Sequence, residues 1–109
     1  MAEATFIQAG MAIDYTPTSA VAVGAVVVQV NLVGIATQAI ATNVAGSLLV
    51  EGVFDFNKTA SLVVSVGDLV YWDDTANAAN KTSAGNTLIG KCVRASAASD
   101  TTVRVKLSQ

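Results

Sequence analysis

No charged side chain occurs between Asp14 and Glu51, and that gap constrains the chain more than any other feature. A stretch of this length without charge must be covered either by protein or by lipid. Residues 20–40 are apolar enough to raise the question of a membrane-spanning helix. Three features oppose it. Gln29, Asn31 and Gln38 interrupt the run. Val dominates it, with Gly24 and Gly34, and that composition suits strands better than helices. Neither flank carries the Lys and Arg cluster that fixes orientation in a bilayer. The expectation is two buried strands around a turn near Asn31, with no membrane partner.

Alternation with period two recurs along the rest of the chain. In Val103-Arg104-Val105-Lys106-Leu107 the apolar residues share one face and the two cations the other, as in a half-buried strand. Across residues 48–56, Leu48, Val50, Phe54 and Phe56 share a face, with Glu51 and Asp55 opposite. Met11, Ile13 and Tyr15 alternate in the same way, as do Val26, Val28 and Val30. Residues 69–72 and 88–93 are short strand-type runs. Turn-forming clusters separate these segments at short intervals. No segment holds an apolar stripe at helical spacing. Residues 36–45 come nearest, and Thr37, Thr42 and Val44 weaken them. One helical turn is expected near residues 61–66. The fold class expected is all-β: a small single-domain antiparallel β-barrel or sandwich of short strands, with at most one or two helical turns. Residues 1–109 form one domain in this reading, with 1–10 as a candidate N-terminal arm. Closure into a barrel would remove edges at which Val-rich strands pair with other chains.

Composition excludes several functions. A chain of 109 residues supports one small domain and is too short for a two-domain enzyme. Charged residues are 13% of the chain and the formal net charge is −2, which argues against a nucleic-acid partner. There is no His, so the commonest general base and the commonest metal ligand are missing. Cys92 is the single cysteine and cannot form an intrachain disulfide. Residues 1–10 carry neither a basic residue nor an apolar segment with a cleavage site, so a secretory signal is not expected.

Several local patterns imitate functional motifs. Gly85-Asn86-Thr87-Leu88-Ile89-Gly90-Lys91-Cys92 begins like a phosphate-binding loop, but Cys92 stands where Ser or Thr would hold magnesium. The segment after it reads as strand, whereas such a loop opens a helix. A turn at Gly85-Asn86 leading into a strand is the better reading. Asp73-Asp74-Thr75-Ala76-Asn77 places oxygens at alternate positions like a calcium loop, yet lacks its turn glycine and its bidentate Glu, leaving a solvated hairpin loop. Cys92 has no His to activate it, and Lys91 beside it in a strand would face the other way. Tyr71-Trp72 is either core packing or an exposed platform for a sugar. No catalytic, cofactor or metal residue emerges, and no cofactor is expected.

Three segments in order, Val66-Gly67-Asp68-Leu69-Val70-Tyr71-Trp72-Asp73, Gly85-Asn86-Thr87-Leu88-Ile89-Gly90 and Thr102-Val103-Arg104-Val105-Lys106-Leu107, together resemble the small tailed-phage capsid decoration, or cement, proteins. Phe6-Ile7-Gln8-Ala9-Gly10 and Val50-Glu51-Gly52-Val53-Phe54 fit the same pattern, so the resemblance spans essentially the whole chain. It implies a non-enzymatic virion structural protein, made in the bacterial cytoplasm and bound to the capsid exterior. Its partner would be an HK97-type major capsid protein, whose shell it would stabilise. The family pattern supplies no catalytic residues.

The long uncharged stretch is more apolar than an isolated monomer requires, and the mean hydropathy is +0.54. Apolar surface left outside marks an interface. A homo-oligomer is therefore expected, and the capsid three-fold positions that the resemblance implies put a trimer first and a dimer second. Ala2, Glu3, Ala4, Thr5, Phe6 and Ile7 are the candidate capsid contact, because Phe6 and Ile7 form an isolated apolar pair in a terminal arm. The competing function is a carbohydrate-binding surface module using Tyr71 and Trp72. A nucleotide-binding enzyme using Lys91 is a third, weaker alternative.

Overall fold

Residues 3–4 and 10–109 are described in a computed structural model, and within them the alternating patterns become strands with no helix. Strands β1 (Ala12–Tyr15), β2 (Val26–Gln29), β3 (Leu32–Ala36) and β4 (Gly46–Leu49) form an antiparallel sheet in the order β1-β4-β3-β2. Strands β5 (Val53–Asn57), β6 (Leu69–Asp73), β7 (Ala78–Asn80), β8 (Thr87–Arg94) and β9 (Thr102–Leu107) form a second, in the order β5-β9-β8-β6-β7. The architecture is all-β and sandwich-like, in agreement with the expected class.

The uncharged stretch supplies β2, β3 and β4. β2 and β3 pair as a hairpin around Val30 and Asn31, from Gln29↔Leu32 to Val26↔Ile35. β3 is covered on both faces, which explains why no charge is tolerated there. Val33 and Ile35 enter the main core. Ala36 packs in a second, smaller core with Ile40 and Leu48. Gly34 is required on that side, because a Cβ there would lie 2.7 Å from Leu48 Cβ. No helix among the described residues is long and apolar enough to cross a membrane.

The main core lies on the concave face of the five-stranded sheet. Phe56, Val70, Trp72, Ile89, Val103, Val105 and Leu107 fill it together with Val33 and Ile35. Burying each large side chain there stabilises the fold by about 1.5–3 kcal/mol before entropy is counted. The sheet curls until β7 meets the chain just beyond β5. Lys58 and Ala79 form a parallel bridge, and Thr59 N–H donates to the Ala79 carbonyl at 3.0 Å. The four-stranded sheet remains open, so the edges are not removed by a single closed barrel.

β8 is irregular on both sides. Its register slips against β6 at Val70/Tyr71 and against β9 between Cys92 and Arg94. Gly90 stands beside the first irregularity and packs against β9 on its other side, where a Cβ would stand 1.9 Å from the Lys106 carbonyl oxygen.

Two local expectations are corrected. Residues 48–56 are not one strand. Gly52 adopts φ +122° and divides them, sending β4 to one sheet and β5 to the other. Residues 61–66 contain no helical turn; Ser61 takes φ +65° in a turn, and Val64 then bridges Ser96. Residues 36–45 are not helical, in keeping with the Thr37, Thr42 and Val44 that weaken a helix there. Ile40 bridges Val21, and Asn43 takes a left-handed turn conformation.

Candidate functional site

The imitation motifs dissolve into structural roles. Gly85 and Asn86 form a turn and Lys91 lies within β8, so no backbone cradle for phosphate exists. Asp73 Oδ1 accepts hydrogen bonds from the Thr75 and Ala76 N–H groups, both at 3.0 Å. Asp74 accepts the Trp72 indole N–H at 3.1 Å. Both carboxylates therefore shape the β6–β7 hairpin, and no cluster of three metal-ligating side chains occurs among the described residues. Cys92 is buried, and its thiol donates to the Arg94 carbonyl at 3.0 Å.

Tyr71 and Trp72 do not share a face. Trp72 is 5% exposed and packs on Phe56 with ring centroids 5.8 Å apart, while Tyr71 alone points outward and is half-buried. Adjacent strand residues project to opposite sides, so the pair cannot form one stacking platform. This geometry removes the basis of the carbohydrate reading.

Lys58 was unremarkable in sequence but is buried. Its ammonium donates to the Leu62 carbonyl at 2.5 Å and to the Ala97 carbonyl at 2.6 Å. It clamps the loop after β5 to the loop before β9. An Asn-Lys-Thr context carries no signal for such a role.

Among the described residues, charge is organised on the exterior of the five-stranded sheet. Two rows of cross-strand neighbours define it. The first runs Val53, Lys106, Lys91, Leu69 across β5, β9, β8 and β6. The second runs Asp55, Arg104, Arg94 across β5, β9 and β8. Four of the six cations of the chain are thus gathered on two adjacent strands. Lys91 faces Lys106 directly, and Arg94 faces Arg104. Asp55 forks onto Arg104, with Nε–Oδ1 2.9 Å and Nη2–Oδ2 3.1 Å. That hydrogen-bonded guanidinium, helped by the charge of Arg94, holds the Asp55 carboxyl below its ordinary range. The same bond raises Arg104. Lys91, Arg94 and Lys106 form no ion pair among the described residues. The second irregularity of β8 turns Val93 outward beside Arg94, so apolar side chains border the cations at Val53, Leu69 and Val93.

Glu3 and Ala4 are exposed, whereas Ala2, Thr5, Phe6 and Ile7 lie outside the described residues. The organised cation face is not legible in the sequence, where only Arg104 and Lys106 stand out as one strand's polar side. A family model described as phage cement protein matches residues 7–107. No curated protein and no solved structure matches the chain.

Proposed function

Because the chain belongs to the phage cement protein family, with the structural, capsid-binding role in the virion that membership carries, we propose that it binds the outer face of an assembled HK97-type shell and braces joints between capsomers. The family match over residues 7–107 carries this reading. The family is a structural, non-enzymatic one, and the chain is read here as acting without catalysis or cofactor. A weak contact repeated around a shell stabilises the whole particle through avidity.

The exposed apolar side chains of Met11, Val23, Val30, Val44 and Val66 support burial against neighbours. A closed homo-oligomer, a trimer before a dimer, matches the symmetry of capsid three-fold positions. Ala2, Glu3, Ala4, Thr5, Phe6 and Ile7 are proposed as a contact with the shell on their sequence alone. The protein would be made in the host cytoplasm and reside on the capsid exterior.

Co-sedimentation with capsids that lack the protein tests the proposal. The purified chain is expected to pellet with them at a saturable stoichiometry. A chain that stays in the supernatant contradicts it. Deleting residues 2–6 tests the arm: undiminished pelleting removes that contact.

A further inference from the structure

We propose that the exterior of the five-stranded sheet docks on an acidic patch of the shell protein, with Lys91, Lys106 and Arg94 as its cationic centre; this rests on the capsid-binding reading above. Directly opposed like charges weaken an antiparallel pair. β8 and β9 carry two such pairs, Lys91↔Lys106 and Arg94↔Arg104. Among the described residues, only Asp55, on Arg104, offsets them by an ion pair. The remaining cations of the chain are otherwise engaged: Lys58 is buried on carbonyls and Lys81 lies 3.6 Å from Asp68. A chain of net charge −2 therefore concentrates its unpaired positive charge on one rigid surface. An acidic partner converts the internal repulsion into attraction and lowers the energy of the face only in the docked state.

The borders of the patch favour a protein surface over a phosphate backbone. Val53 and Leu69 stand at the two ends of the lysine row, and Val93 lies beside Arg94. Exposed apolar side chains around a charged centre can be desolvated against another protein, while a polyanion would leave them wet. Glu51 lies at the margin next to Lys106, lining the same depression, and closes the cationic surface on that side. Strands hold the whole constellation, so little ordering is needed on docking.

Lys91→Glu separates docking from folding. It places Glu opposite Lys106, so the free variant is expected to melt at or above the wild-type temperature. Its affinity for capsids lacking the protein is nevertheless expected to fall about tenfold or more. Wild-type binding should weaken between about 50 and 500 mM salt, and that dependence should flatten in the variant. Thr37→Glu with Gln38→Glu makes the same net charge change on an exposed loop of the smaller sheet, and should bind as the wild type does. Lys91→Glu binding with wild-type affinity and salt dependence, or the loop variant losing affinity equally, overturns the assignment. So does duplex DNA bound by the wild type as tightly as capsid and released by Lys91→Glu. A wild type that does not bind capsids at all overturns the capsid reading itself, and this assignment with it.

Discussion

The side-chain amide of Gln109 hydrogen-bonds both backbone polar groups of Val33: Val33 N–H donates to Oε1 at 2.6 Å, and Nε2 donates to the Val33 carbonyl at 2.5 Å. Pairing of β3 with β4 begins only at Ile35, so Val33 has no strand neighbour on that side. The amide does what a further strand residue would do. It also fastens the end of β9, and hence the larger sheet, to the centre of the smaller one. Removing it strands two partly buried backbone groups. Gln109→Ala is therefore expected to cost about 1–3 kcal/mol in denaturant unfolding, with capsid affinity changed only through stability. Gln109→Glu keeps the acceptor and loses the donor, and should be no better than the alanine.

Gly90 is constrained by backbone rather than by a side chain that could move aside. Its absent Cβ would overlap the Lys106 carbonyl oxygen at 1.9 Å, within the β8–β9 ladder. Gly90→Ala is expected to destabilise by about 3 kcal/mol or more, read as loss of soluble folded protein or a large fall in the denaturation midpoint. Gly85→Ala has open space around its Cβ and only a φ of +75° against it, so its penalty should be clearly smaller.

Val30 has the opposite signature. It is 86% exposed and sits at φ +61°, a conformation that a β-branched residue adopts only under strain. Val30→Asn is expected to raise stability by about 1 kcal/mol, because Asn tolerates the left-handed region. The check is a denaturation curve with an unchanged slope and a higher midpoint.

The pH response of the exterior face follows from Asp55. Its folded-state carboxyl is depressed below the ordinary value of 3.8 by the Arg104 hydrogen bond and the nearby positive charges. Its stabilisation is therefore fully present above 3.8 and is lost as pH falls through the lower folded value. The pair is exposed, so the effect is modest and screened by salt. Melting temperatures of wild type and Asp55→Asn should differ at neutral pH and converge in the acid range below 3.8. A difference that persists there would contradict the account.

What could be read from the sequence was local. Val103 to Leu107 alternate so cleanly that β9 was plain, and the charge-free stretch announced buried strands with a turn near Asn31. What could not be read was long-range. Period two runs straight through Gly52, yet a positive φ there sends Phe54 and Phe56 into a different sheet from Leu48. Tyr71 and Trp72 are neighbours in the chain and lie on opposite faces. Lys91 and Lys106 are 15 positions apart and become direct neighbours only through the register of β8 and β9. Lys58 resembled a surface residue because nothing local shows that two loop carbonyls converge on its ammonium.

The stability of the particle itself addresses the central claim, that this module braces an assembled shell. Capsids lacking the protein should lose integrity at a lower temperature than decorated ones, and adding the purified chain should restore the higher temperature at saturation. Capsids that bind the chain and still come apart at the undecorated temperature would contradict that claim.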